Sequence, residues 1–154
     1  MARVERDFEE LLQLFNKHQV RYCIVGAFAL GYHARPRYTK DLDLLVEPTE
    51  INGQRLVEAL RDFGFGSLRI TPQDFSKAGR FVQLGYEPVR VDLITSIKGV
   101  GFSEVWRNRK KGRFGRGVVN FIGLKQLIKC KKAAGRKQDL ADLELLAKVV
   151  KRSK

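Results

Sequence analysis

The spacing of apolar residues changes several times along the chain, and each spacing predicts an element. Residues 4–18 and 49–63 carry apolar side chains every three or four positions, which is typical of amphipathic helices. The same period returns in residues 124–134 and again from residue 136, on either side of Gly135. Short apolar runs bounded by turn residues predict strands over 22–25, 65–70, 79–84, 88–94 and 118–122.

One apolar run, within the stretch from Arg37 to Val46, is interrupted twice by aspartate. Its alternation predicts a strand in which Asp41 and Asp43 share one face, with Cα atoms roughly 6.5 Å apart, while Leu42 and Leu44 take the other. Oxygen ligands at this spacing suit Mg²⁺, which usually takes one or two carboxylates together with substrate phosphates. An isolated Asp-x-Asp also occurs on solvated strands, so the neighbouring segments decide between the two interpretations.

The segment before this run joins a strand to a helix. The apolar strand 22–25 continues without a loop into a predicted helix that begins at Gly26. The first amide N–H groups of such a helix are unpaired and form a natural seat for phosphate, although one glycine also suits close helix packing. Pro36 ends this helix, and the basic loop 35–40 leads to the carboxylates. Cations next to acids are expected of a site that binds triphosphate and metal together, and equally of a surface ion-pair cluster.

A further carboxylate stands alone in the predicted strand 88–94, where Val89, Val91 and Leu93 form the apolar face and Asp92 lies on the other. Burial of such a group without a partner raises its pKa, so a metal ion or another cation is its natural companion. An aspartate on a solvated edge strand would need neither.

Charge is distributed unevenly along the 154 residues, whose formal net charge is +13. Residues 1–97 hold 13 Lys and Arg against 13 Asp and Glu, whereas residues 98–154 hold 17 against 4. A basic last third indicates a polyanionic partner or simply a solvated basic surface. Within it, residues 97–117 combine glycine, basic residues and aromatics, which suits a loop or hairpin on a phosphate backbone, with Trp106 expected in the core.

Targeting and redox signals are weak. Cys23 and Cys130 lack metal-ligand spacing, so we expect reduced thiols in a cytoplasmic protein. We also expect neither a signal peptide nor a membrane partner, because no apolar run approaches the roughly 20 residues of a span.

The order strand, Gly26-Ala27, helix, Arg37-x-Thr39-x-Asp41-x-Asp43 resembles the nucleotidyltransferase superfamily with the DNA polymerase β-like palm. It is most similar to the minimal nucleotidyltransferases, which include toxins of the abortive-infection type. The resemblance implies that Asp41, Asp43 and Asp92 are catalytic and bind two Mg²⁺ ions, with Asp92 activating the attacking hydroxyl. It also implies a nucleotide-binding set made of Gly26, Ala27, Arg37, Thr39, Lys131, Arg136 and Asp139. The chain departs from the family at Ala27, where serine or a second glycine is common.

The C-terminal part carries a second point of resemblance. The stretch from Leu127 to Asp142 is similar to the tail motif of the abortive-infection type enzymes, with Gln138 where lysine is commoner. That motif implies that Lys131 reaches the triphosphate and that Arg136 and Asp139 brace the site. From the residues alone, a helix-joining salt bridge between Arg136 and Asp139 is an equal alternative.

These observations predict one α/β domain over residues 1–154: a mixed, twisted sheet backed by helices, with a palm-like core over about 20–122 and a helical segment over about 123–150. The predicted function is Mg²⁺-dependent transfer of an NMP from an NTP to a hydroxyl of RNA, tRNA, protein or a small molecule. Two other classes stay open: an RNA-binding module that keeps the fold without chemistry, and a toxin covered by an acidic antitoxin.

Overall fold

The computed structural model describes residues 2–36, 39–66, 69–86 and 89–153, with the side chains of residues 2–5 and 89 left aside. Its α-helices are α1 (Ala2–Lys17), α2 (Gly26–His33), α3 (Glu50–Leu60), α4 (Phe102–Arg107), α5 (Leu124–Ala134) and α6 (Lys137–Arg152). Its strands are β1 (Tyr22–Val25), β2 (Asp41–Val46), β3 (Phe81–Tyr86), β4 (Val89–Ile94), β5 (Lys110–Phe114) and β6 (Gly117–Phe121). No helix in these ranges is long and apolar enough to cross a membrane.

The strands of the described ranges form one mixed sheet in the order β3-β4-β2-β1-β6-β5. Strand β2 runs antiparallel to β1 and parallel to β4, and β6 runs parallel to β1. The two outer pairs, β3 with β4 and β5 with β6, are antiparallel. This order places β2 and β4, the strands that carry the three predicted acids, side by side near the middle of the sheet.

The two faces of the sheet differ in what covers them. Leu42, Leu44 and the β4 residues Val91 and Leu93 lie on one face and are buried. Helix α1 packs on this face, where the ring of Phe15 lies 5.7 Å from that of Tyr22. The alternation in β2 and β4 therefore directs Asp41, Asp43 and Asp92 to the opposite face. The predicted sharing of a face by the two β2 acids is confirmed.

One predicted strand is wrong. Residues 65–70 were expected to extend after a helix ending near Gly64, but helix α3 continues into a π-helical turn over Arg61–Phe65. Gly64 adopts φ 112° inside this turn, a conformation that glycine permits and that reverses the chain without a strand. The rings of Phe63 and Phe65 lie 5.2 Å apart, so the apolar run packs as a turn. Residues 67–68 lie outside the described ranges.

The basic stretch 97–117, predicted as a loop or hairpin, contains both a helix and a strand. Helix α4 begins after Gly101, and β5 pairs with β6 across the turn at Gly115. Trp106 packs against the core as expected, with Arg109 stacked on its ring. The other helices and strands were predicted to within a few residues, and α6 ends at Arg152, close to the predicted end of the helical segment near residue 150.

Candidate active site

Four charged side chains form a compact block on the face of the sheet opposite α1. In the parallel register of β2 and β4, Asp43 is directly opposite Asp92 and Asp41 is opposite Arg90. Asp92 is 5% exposed, and Asp41 and Asp43 are partly buried. Strand pairing thus brings the three carboxylates together, although Asp41 and Asp92 lie 51 residues apart in sequence.

Arg90 neutralises part of this charge. Its Nε and Nη2 atoms donate to the two carboxylate oxygens of Asp92 at 3.1 Å each, and its Nε lies 3.9 Å from Oδ1 of Asp41. Such two-point pairing fixes both the guanidinium and the carboxylate. The sequence interpretation treated Asp92 as isolated and gave Arg90 no role. The period of two in a strand could have found it, because Arg90 is two residues before Asp92.

The block remains electrostatically strained despite Arg90. Burial, then the neighbouring Asp92 and Asp41, raise the pKa of Asp43 from 3.8 to about 7, and Arg90 opposes the rise. Oδ1 of Asp41 is buried and accepts no hydrogen bond. A bound cation would give the buried oxygen of Asp41 a partner. It would also favour the ionised form of Asp43.

These side chains fit Mg²⁺ in their chemistry, since all the donors are carboxylate oxygens. In the described ranges, however, no three His, Cys, Asp or Glu side chains are arranged as a ready cage for a metal ion. Arg90 gives a physical reason, because it holds both oxygens of Asp92. Asp41, Asp43 and Asp92 could therefore hold a metal once Arg90 yields one of these oxygens.

Gly26 closes the site from the side of β1. It has φ +69°, and a Cβ added to it would collide with the carboxylate of Asp43. Helix α2 starts at this residue directly after β1, and no side chain caps its first N–H groups. Backbone donors thus open next to the carboxylates, where an anion would find them unpaired. Ala27 follows as the second residue of this helix, where its amide is one of these early N–H groups.

We expect Gly26→Ala to weaken divalent cation binding at the carboxylates strongly while leaving most of the fold intact. The methyl group would push the Asp43 carboxylate out of the block and strain the backbone. The measurement is Mn²⁺ binding by titration calorimetry beside circular dichroism. Gly79→Ala is the matched control, since Gly79 also has positive φ (+83°) but its added Cβ meets nothing within 4 Å. Equal effects of the two changes would mean that backbone strain alone matters.

A cleft of about 250 Å³ lies beside the block. It brings together five of the predicted site residues: Gly26, Asp43, Lys131, Arg136 and Asp139. The remaining walls are mainly apolar and come from Val25, Ile94, Ile97, Lys98, Ile122, Leu127, Cys130 and Ala134. Burial raises the pKa of the Cys130 thiol to about 11, which keeps it neutral. An apolar pocket with charged groups at one side suits a nucleoside whose phosphates face the charges.

The predicted phosphate lysine is already paired. Lys131 is 9% exposed, and its Nζ lies 2.8 Å from Asp142 and 3.3 Å from Asp139. Arg136 donates to Asp139 through Nε at 2.7 Å, which holds the pKa of Asp139 down to about 2. Gln138, the departure noted in the sequence, donates to Asp142 at 2.9 Å. This network joins α5 to α6 as one wall of the cleft.

Thr39, another predicted residue, is not among the residues that line the cleft. Thr39 exchanges hydrogen bonds with the backbone of Asp41 at 3.3 Å, so it supports the start of β2. Arg37 lies outside the described residues. The sequence interpretation missed Ile94, Ile97 and Lys98 as cleft residues, because they are contributed by the end of β4 and the bend after it.

A mixed sheet with two acids on one strand, a third on its parallel neighbour and a glycine-started helix defines the nucleotidyltransferase fold, and comparison with solved structures agrees. The chain superimposes on ANT(2'')-Ia in complex with adenylyl-2''-tobramycin with a TM-score of 0.62 and 11% identity, covering 97% of this chain and 90% of that one. The lincomycin-bound lincosamide antibiotic adenylyltransferase LnuA gives 0.56 and 12%, with 94% and 96% covered.

A third neighbour is a candidate nucleotidyltransferase from Thermotoga maritima, with a TM-score of 0.58, 13% identity and coverage of 90% and 89%. The chain thus has the nucleotidyltransferase fold. No protein-family model and no curated protein matches its sequence. The likeness is therefore one of backbone arrangement.

Proposed function

We propose that this protein is a Mg²⁺-dependent nucleotidyltransferase that moves an NMP from an NTP to a hydroxyl group, with pyrophosphate as the leaving group. The observation that carries the proposal is the block of Asp41, Asp43 and Asp92 next to the open helix start at Gly26, on this fold. The fold brings the carboxylates, unpaired backbone donors and a nucleoside-sized cleft to one place.

In the proposed site, Asp41, Asp43 and Asp92 would hold two Mg²⁺ ions. Bound there, Mg²⁺ supplies charge stabilisation of the transferring phosphoryl group and lowers the pKa of the acceptor hydroxyl. The chain itself positions the nucleotide: the first N–H groups of α2 bind a phosphate, and the cleft encloses the nucleoside. Asp92 accepts the proton from the acceptor hydroxyl.

The cations of the cleft divide into two roles. Lys131 is balanced by two carboxylates, so it mainly fixes the wall between α5 and α6. The Arg136 side chain is 75% exposed, and together with Lys98 it presents positive charge to the cleft. These two cations offset the charge that grows on the leaving pyrophosphate. The resemblance assigned the phosphate contact to Lys131, so comparing Lys131→Met with Arg136→Met separates support from substrate contact.

The acceptor enters from the β3 side. The nucleotide cleft lies toward β1 and α5, and the attacking and leaving oxygens are roughly in line in phosphoryl transfer. Strand β3 is the edge strand beyond β4, and Gln83 is directly opposite Asp92. Phe81, two residues before it on the same face, is 59% exposed. Gln83 and Phe81 therefore form the acceptor side of the site.

The acceptor class follows from charge. ANT(2'')-Ia and LnuA act on antibiotics, and an antibiotic acceptor is one candidate here. A chain with a net charge of +13, however, attracts polyanions more than cationic drugs. RNA, including a tRNA end, is accordingly the acceptor that we propose, with a protein hydroxyl as the next class. The same basic surface would suit an acidic antitoxin, as expected if the transferase is a toxin.

A transfer assay tests the proposal. The purified protein is incubated with each NTP labelled at the α-phosphate, Mg²⁺, and total RNA, cell lysate or tobramycin as acceptor. We expect label in a discrete RNA band with the wild type and none with the Asp41→Asn/Asp43→Asn variant. If no label moves with any NTP while both proteins bind RNA equally in EDTA, the chain is a non-catalytic RNA-binding module.

A further inference from the structure

A second basic site lies away from the carboxylates. A cavity of about 520 Å³ opens beside Trp106, and it shares no residue with the nucleotide cleft. We call it the Trp106 pocket. Its residues are Asn16, Gln19, Val20, Arg21, Arg55, Trp106, Arg109, Lys111, Val118 and Asn120. Four cations from three separate segments thus converge on one cavity, and no carboxylate from the described ranges lines it.

The arginines are held in place by the fold. The guanidinium of Arg109 lies 3.7 Å from the centroid of the Trp106 ring, and that of Arg21 lies 5.3 Å from it. Arg109 also donates to the carbonyl oxygen of Trp106 at 2.8 Å, while its Nε is buried without a hydrogen-bond partner. Arg55 donates to the carbonyl of Gln19 at 3.2 Å. These cations are prearranged before any ligand arrives.

Among the described residues, a single ion pair offsets this charge. Glu47, from outside the pocket, pairs with Arg21 at 3.2 Å. Holding the remaining cations together costs free energy that an anion would recover. The buried, unpaired Nε–H of Arg109 adds a donor that lacks its acceptor. The pocket therefore has the electrostatics of an anion site.

The neighbouring edge strand extends the charge in a regular line. In the register of β5 with β6, Lys111 is opposite Asn120 and Arg113 is opposite Val118. Because Asn120 and Val118 line the pocket, both cations lie on the face that opens into it. Arg109, two residues earlier, falls on the same face, and successive cations are roughly 6.5 Å apart. Such a row matches a chain of regularly spaced phosphates. Because the Trp106 ring is covered by Arg109, it is not offered to a base.

We propose that the Trp106 pocket and the exposed face of β5 bind the phosphodiester backbone of a polynucleotide, independently of its sequence. A protein partner fits less well, because among the described residues that line this pocket Val118 is the one large hydrophobic that is prominently exposed. This inference goes beyond the proposed transfer reaction: it needs no chemistry at the carboxylates, and it selects Arg109, Lys111 and Arg113 from the 17 cations of the last third.

The test uses fluorescence anisotropy of labelled single-stranded RNA and of DNA of the same sequence, in EDTA, with the full chain. The main variant is Lys111→Gln/Arg113→Gln, since both side chains are exposed. The matched control is Lys125→Gln/Lys148→Gln, which removes the same charge from exposed positions on α5 and α6. Arg109→Gln is a third variant, with circular dichroism to report on its fold.

We expect the main variant to bind RNA about tenfold more weakly or worse, and to reduce the slope of log affinity against log salt by about 1.4 between roughly 50 and 200 mM salt. The control should lose much less. Equal losses in the two variants, or no RNA or DNA binding by the wild type, would overturn the proposal. Binding to RNA and not DNA would add recognition of the ribose. Because the assay contains EDTA and no nucleotide, its failure and failure of the transfer assay are separate results.

Discussion

Replacing Asp43 by asparagine should abolish nucleotidyl transfer and at the same time leave the protein as stable as the wild type, or more so, at neutral pH in EDTA. In the proposed reaction, activity should fall on the order of a thousandfold, because the proposed Mg²⁺ site would lose a carboxylate ligand. Stability should hold because the side chain keeps its shape and loses a charge that burial, Asp92 and Asp41 disfavour. Transfer rate and thermal unfolding measure the two effects.

The stability of the wild type should depend on pH through Asp43. The pKa of Asp43 rises from 3.8 to about 7 on folding, so the folded state favours the protonated form. Wild-type stability in EDTA should therefore contain a contribution that declines as pH rises from about 4 to about 7, and Asp43→Asn should lack it. Added Mg²⁺ should restore stability above pH 7 in the wild type alone. Asp7→Asn on α1 is the control, and a parallel decline in Asp43→Asn and wild type would contradict the prediction.

Replacing Arg90 by glutamine should tighten divalent cation binding while destabilising the protein in EDTA. Arg90 holds both oxygens of Asp92, so a metal must compete with a guanidinium for them. Removing the competitor should lower the Kd for Mn²⁺ by about tenfold, a change equivalent to about 1.4 kcal/mol. Without a cation, Asp92, which is 5% exposed, would be left without its partner, and the melting temperature should drop.

Titration calorimetry with Mn²⁺ and thermal unfolding with and without it measure both sides of this balance. Arg90→Lys is the matched variant: it keeps the charge but loses the two-point geometry, so we expect intermediate behaviour. If Arg90→Gln binds Mn²⁺ more weakly than the wild type, Arg90 supports the metal site and does not compete for it.

The sequence was sufficient for the parts of the fold that rest on local period. The alternation around Asp41 and Asp43 was visible because one face of β2 must be buried. The helix start at Gly26 was visible because this glycine directly follows the apolar strand β1. Strand 65–70 failed since an apolar run of this length fits a packed turn as well as a strand, and Gly64 decides between them through its φ. The short helix α4 was not predicted, because it lies in a stretch dominated by charged residues and glycine.

Site partners were harder to predict than site elements. Arg90 was overlooked because the same-face rule was applied to the acids and not to the cation between them. The position of Lys131 depends on how α5 packs against α6, which brings Asp142 to it from 11 residues away. Neither spacing nor composition determines that packing, so the choice between a phosphate contact and an internal ion pair required tertiary structure.

The alternation of acids and apolar residues protects the parallel register of β2 and β4 against misalignment during folding. Each acid in these strands alternates with a buried residue, Leu42 and Leu44 in one and Val91 and Leu93 in the other. A slip of either strand by one residue would turn its charges into the core and its apolar side chains toward solvent. A state with misaligned carboxylates is therefore less stable than the native state and is rarely populated. Formation of the hydrophobic core therefore favours the register that brings the three acids together.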